Sequence, residues 1–233
     1  MAASWQPVRT SGFGRLTKGQ SVLLKAVVAV AALGVLGVFF VRSARTVLAE
    51  PYEVPRDHLA PWTLAIESPS SGSGILLALR PHRELTAVLF KQVFARTGES
   101  LTSPVPAAMP LVLQSEFDRA MAGAFTPEKL LAVAQAAGLE TATIVPRCLA
   151  HRRVSAPGIV RQVYFTRFDA PAFETFRREV DRQLRGAVGS TSAFDAAALS
   201  PVVIIAASDA VFSRWLPLRA GDSDDCLAPI AVK

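Results

Sequence analysis

The sequence predicts a mixed α+β protein: a single N-terminal transmembrane helix followed by one soluble domain. Three observations carry this prediction. An apolar run near the N-terminus has no polar face, short apolar runs alternate with helical patterns after residue 60, and helix-cap residues punctuate them.

Residues 1–21 read as a short cytoplasmic segment and residues 22–42 as the span. From Ala26 to Val41 sixteen residues carry no polar side chain, and Val22, Leu23 and Leu24 lengthen the run to twenty, interrupted only by Lys25. About 20 helical residues at 1.5 Å rise cross the ~30 Å hydrocarbon core, and Lys25 at its edge can snorkel to the headgroups. Val47-Leu48-Ala49 offers small residues to a signal peptidase. Secretory apolar cores, however, run only about 7 to 15 residues, and Arg42 and Arg45 would fall between the run and that cut. An uncleaved signal anchor is the expectation.

Arg9, Arg15 and Lys18 precede the span while Arg42, Arg45 and Arg56 follow it, which is close to a tie in the positive-inside count. The amino terminus and Lys25 tip the balance toward a cytoplasmic N-terminus, with the rest of the chain outside. Twenty arginines against five lysines, with many alanines, fit a GC-rich coding bias. The expected location is therefore a bacterial inner membrane, single-pass, with the bilayer held through residues 22–42.

Residues 43–60 contain Pro51 and Pro55 among charges and read as an extended stalk. Residues 61–233 suffice for one well-buried domain. Trp62–Glu67 and Ile75–Arg80 flank the turn-rich SPSSGSG as a loose hairpin. A helix follows with Leu85, Val88, Leu89 and Val93 on one side, then a strand at Met109–Leu113. Ser115 to Asp118 has the spacing of a capping box. Thr126-Pro127-Glu128 starts a helix that stops at Gly138.

The second half repeats the order. Strands at Thr141–Leu149 and Ile159–Phe168 flank Ala156-Pro157-Gly158, and Pro146 marks the first as an edge or broken strand. Asp169 can cap a helix whose Phe173, Phe176, Val180 and Leu184 share a face, with Glu174/Arg178 and Asp181/Arg185 as i,i+4 pairs. Val202–Ala206 is a buried-type strand, and Ser208-Asp209 begins another helical turn. Each half reads ββαβ plus a helix, which suggests two pseudo-repeated units. An unduplicated sandwich of helices on an antiparallel sheet would give a similar string.

Net charge is +6, but five basic residues (Arg9, Arg15, Lys18, Lys25, Arg42) precede residue 43, and residues 43–233 hold 20 basic against 19 acidic side chains. The basicity belongs to membrane topology, and nucleic acid is not an expected partner. Within the domain charge is segregated: from Arg147 to Arg185 nine arginines face four acids. Arg152, Arg153 and Arg161 are the candidate anion-binding residues, gathered around the hairpin turn if its strands pair. Their expected partner is anionic: a protein face, a lipid headgroup or a wall polymer. An internal match to Asp222, Asp224 and Asp225 is the alternative.

Cys148 and Cys226 are either a disulfide, as an oxidising compartment allows, or two buried thiols. Other chemistry is thin. SPSSGSG lacks both G-x-S-x-G and a Gly-Lys-Ser/Thr pair. Cys148 and His151 point to opposite faces of a strand. His58, His82 and His151 form no short-spaced ligand pair. No catalytic residue, cofactor or metal site is expected. The functional expectation is a membrane-anchored, extracytoplasmic, non-enzymatic binding or assembly module. The alternative is a membrane-tethered hydrolase using Ser70, Ser71, Ser73 or Cys148.

Overall fold

In the computed structural model, which describes residues 27–38, 47–68, 72–188, 193–218 and 226–233, the chain divides into two units, residues 1–46 and Val47–Lys233. In the first, residues 27–38 form helix α1. At 1.5 Å per residue this stretch rises ~18 Å. Among the described residues no helix is long and apolar enough to cross a membrane. Residues 22–26 and 39–42 of the expected span lie outside the described residues.

The second unit is a mixed α+β fold with two sheets. Its elements run β1 (Tyr52–Val54), β2 (Thr63–Ile66), β3 (Ile75–Arg80), α2 (Arg83–Thr97), β4 (Met109–Leu113), α3 (Gln114–Glu116), α4 (Pro127–Ala136), β5 (Val145–Ala156), β6 (Ile159–Asp169), α5 (Pro171–Val188), β7 (Val202–Ala207) and β8 (Cys226–Val232). One sheet has five strands in the order β1-β8-β5-β6-β7, the other three in the order β2-β3-β4. Pairing is antiparallel throughout except where β1 runs parallel to β8.

Why these residues form these elements follows from which faces are covered. All six side chains of β7 are buried because the five-stranded sheet has a core on each side. Val203 and Ile205 join the main core with Leu149, Tyr164 and Phe168, while Val202 and Ile204 face a smaller cluster of Phe165, Trp215 and Leu218. A strand covered on both faces reads as a continuous apolar run. Helix α5 has one apolar stripe, and Phe173, Phe176, Val180 and Leu184 fill the main core. Helix α4 begins where Thr126 Oγ1 accepts the Lys129 amide at 3.2 Å, with Pro127 in the first turn.

Four expectations need correction. The residues assigned to a stalk belong partly to the fold: Tyr52 and Val54 are fully buried in β1, between Pro51 and Pro55. Ser115 does not cap a helix. Helix α3 starts at Gln114, and the Glu116 carboxylate turns back to accept the Leu113 amide at 3.0 Å, because that carboxylate is buried against Arg177. The strand from Thr141 starts only at Val145, with a register break between Pro146 and Cys148 where proline supplies no amide. The Glu174/Arg178 pair does not form; Arg178 Nε donates to the Glu174 backbone carbonyl, and the exposed pairs of α5 are Arg182 with Glu179 and Arg185 with Asp181.

Candidate functional site

The hairpin β5–β6 is longer than the sheet that holds it. Strand β8 pairs with β5 only at Cys148–Ala150, and β7 pairs with β6 only at Val163–Arg167. Among the described residues no strand continues beside 151–156 or 159–161. A two-stranded ribbon therefore projects from one end of the sheet. At 3.3 Å per residue its free length is ~20 Å. The two-residue turn uses Pro157, which presets φ, and Gly158, which takes the positive φ of 75° that a side chain would resist.

Residues directly opposite in an antiparallel pair share a face, so the register places every arm side chain. Arg152 lies opposite Val163, Arg153 opposite Gln162 and Val154 opposite Arg161. Arg152 and Arg161 thus share one face and Arg153 takes the other. The three arginines encircle the ribbon rather than gathering on one surface, because successive strand residues alternate in direction. Beyond them the tip is apolar, with Ile159 and Val160 49% and 52% exposed, while Val154, level with Arg161, is 51% exposed. No carboxylate occurs between Glu140 and Asp169.

Each face of the arm is tied down at its base. On one face Arg161 Nε lies 3.5 Å from Asp209 Oδ2, an oxygen that also accepts from Arg214 Nη1 at 3.1 Å. Arg152 Cζ stands 5.8 Å from the Phe165 ring centre, within cation–π range. On the other face His151 stacks on Tyr164 with ring centres 4.6 Å apart. Glu99 Oε2 accepts from Gln162 Nε2 at 2.5 Å and from the Tyr164 hydroxyl at 3.1 Å. Gln162 Oε1 lies 3.3 Å from His151 Nε2. Burial pushes the Tyr164 phenol well above the usual tyrosine range, the Glu99 carboxylate pushes it further, and Arg153 pulls weakly the other way. Tyr164 is therefore a hydrogen-bond donor that fixes the arm, not a proton source near neutral pH.

Glu99 was not legible as part of a site. It follows Gly98, which ends α2 with a φ of 64°, and the chain beyond that cap, bridged at Thr102 to Ala207, places it against Tyr164 and Gln162, more than sixty residues later.

Of the other residues singled out in the sequence, Cys148 and Cys226 are bonded to one another, with Cα atoms 5.8 Å apart, which staples β8 to β5 just below the arm. A bonded Cys148 has no thiolate to attack with. Arg177, one of the nine arginines between Arg147 and Arg185, is buried and spends its guanidinium inside the fold. Ser73 Oγ accepts the Ile75 amide at 3.2 Å, and Ser70 and Ser71 lie outside the described residues, as do Asp222, Asp224 and Asp225. His58 stacks on His82 at 5.7 Å, far in sequence from His151. Among the described residues no three ligating side chains cluster as a metal site would need.

Comparison of the chain with protein-family models, with curated proteins and with solved structures finds no match in any of the three.

Proposed function

We propose that the chain is a single-pass membrane protein, anchored through residues 22–42 with a cytoplasmic N-terminus, whose α+β domain acts outside the cytoplasm as a non-enzymatic binding or assembly module. Its partner is anionic and is met by the β5–β6 arm. The observation that carries this is the arm itself: a ribbon with Arg152, Arg153 and Arg161 around it and no acid in its own sequence. Guanidinium forks suit phosphate and carboxylate groups, and the ribbon carries them past the neighbouring strands, with Arg161 also 3.5 Å from Asp209.

Two further observations support the membrane and its sidedness, and a third supports a repeated architecture. Residues 26–41 carry no polar side chain, and the apolar side chains described in α1 are exposed, as a lipid-facing helix requires. A bonded Cys148–Cys226 pair suits an oxidising compartment better than the cytoplasm. The halves β2-β3-α2-β4 and β5-β6-α5-β7 share element order and antiparallel pairing, with the second strand central in each trio. We read them as a pseudo-repeat in which only the second hairpin was lengthened into an arm.

The test is crosslinking and salt-dependent capture from native membranes by the full chain, compared with its Arg152, Arg153, Arg161→Ala variant. Captured partners should be lost in the triple variant and weakened by salt in the parent. Unchanged capture by a correctly folded triple variant ends this reading. Stronger capture by a variant with Asp222, Asp224 and Asp225 changed to Asn would show that an internal match competes for the same arginines.

A further inference from the structure

We infer that the partner of the arm is an anionic phospholipid bilayer, into whose headgroup layer the arm inserts its tip. The inference rests on the reading of the arm as an anion-binding element and goes beyond it by naming the surface. Four observations lead there.

First, the arm is graded along its length. Ile159 and Val160, each about half exposed, follow the Pro-Gly turn at the end, and half-exposed Val154 stands level with Arg161. Arg161 sits one residue behind Val160, and Arg153 and Arg152 follow one and two ladder positions further back, so the apolar cap is ~7 Å deep at 3.3 Å per residue. That matches the ~5–10 Å by which interfacial elements bury their apolar side at the boundary of headgroups and acyl chains. The guanidiniums would then lie level with lipid phosphates.

Second, the arginines surround the ribbon. Arg152 and Arg161 are on one face and Arg153 on the other. A flat protein surface or one groove of a duplex reads a single face, and would leave Arg153 or the other two without partners. A headgroup layer offers phosphates on every side of a ribbon standing in it. The division between faces that defeats a compact anion pocket is what an upright arm needs.

Third, the chain comes to the sheet from the side of the arm, although β1 itself pairs with the half of β8 away from it. β8 begins with Cys226 beside Ala150, the last β5 residue before the arm, and runs away from it. β1 runs parallel to β8, with Tyr52 opposite Ile230 and Val54 opposite Val232. Followed backwards from Tyr52, the chain thus heads toward the arm's end of the sheet. Arg96 holds it there, its guanidinium donating to the carbonyls of Glu50 and Pro51 and stacking on Tyr52 at 4.0 Å.

Fourth, the base of the arm is rigidly braced. The His151–Tyr164 stack, the bonds to Glu99 and the two bonds between Gln162 and Ser208, from the Gln162 amide to the Ser208 hydroxyl and from the Ser208 amide to the Gln162 carbonyl, fix its angle. A preorganised arm loses little freedom on insertion.

The experiment places an environment-sensitive NBD fluorophore on the exposed tip through Ser155→Cys in the full chain, reconstituted into bilayers of phosphatidylcholine with or without phosphatidylglycerol. Native cysteines are bonded and do not take the label. The expected result is a blue-shifted emission in the anionic bilayer, quenched by doxyl groups on the acyl chains, and reversed by salt. Each arginine contributes about fivefold to surface partition. The Arg152, Arg153, Arg161→Ala variant should therefore lower the ratio of inserted to free arm on the order of 100-fold. An Ile159, Val160→Ser variant, whose changes lie beyond all three arginines, should keep the attraction but lose the blue shift. Emission that stays that of a water-exposed probe on anionic bilayers overturns the inference, even if capture of an anionic partner still requires the arginines. A probe response to duplex DNA but not to vesicles overturns it in favour of a nucleic-acid arm.

Discussion

Arg177 of α5 and Glu116 of α3 meet in a two-point ion pair sealed from solvent, Nη2 to Oε1 at 2.8 Å and Nη1 to Oε2 at 3.3 Å, with the side chains 1% and 6% exposed. The remaining donors of the fork are spent on backbone: Nε on the Ala196 carbonyl, Nη1 also on Leu111 and Nη2 also on Asp195. The Arg177 fork thus ties α5 to α3 and, through Leu111, to β4. Removing one partner from a buried pair costs about 3 to 5 kcal/mol, since the other is left charged and unpaired. Arg177→Met should lose that much in denaturant unfolding of the full chain in detergent, and the double change Arg177→Met with Glu116→Leu should recover most of it. A loss below ~1 kcal/mol for the single change would show that the pair contributes little.

Tyr52 and Tyr164 are the chain's two tyrosines, and burial raises both phenols above their ordinary range. A raised folded pKa means that folding favours the protonated phenol. Its contribution is whole below about pH 10, where the unfolded phenol is also protonated, and declines as pH climbs past that value because only the unfolded chain then releases protons. Phenolate absorbance should therefore stay flat through pH 10 in the folded protein and rise for both residues in guanidinium. Tyr164→Phe should make the alkaline loss of stability shallower. A folded protein that ionises a phenol at its ordinary pH contradicts the packing of Tyr164 against Glu99.

The Cys148–Cys226 bond closes a long loop, with a sequence separation of 78. In the chain-entropy model such closure contributes about 4 kcal/mol. Cys148→Ser with Cys226→Ser should lower stability by roughly that amount and free the start of β8 from the base of the arm. Reduced and oxidised chains extracted from cells should also separate on a gel. Equal mobility with alkylatable thiols in freshly isolated protein would contradict the bond.

The parts of the fold visible in the sequence were those with a clean period. Phe173, Phe176, Val180 and Leu184 marked the buried stripe of α5, and the unbroken apolar run at Val202 marked a strand covered on both faces. Cap residues located α4 because Thr126 and Pro127 act locally. What escaped was decided by distant partners. β1 is three residues long and exists because β8 offers it an edge, and β8 itself carries Pro229 and only two buried side chains, Ala228 and Ile230. Of the candidate site, the basic hairpin was legible from its arginines, while the division of Arg153 from Arg152 and Arg161 needed the register, and Glu99 needed the fold. The partner of Arg177 was hidden for the same reason, since a buried guanidinium and an exposed one are the same letter.

The proposed role requires a membrane anchor with the domain outside the cytoplasm. Fusing alkaline phosphatase, which folds only where disulfides form, after Lys233 of the full chain tests this directly. The account predicts an active, membrane-bound phosphatase that alkaline carbonate does not extract. An inactive phosphatase, matched by a fluorescent cytoplasmic reporter at the same position, would contradict it.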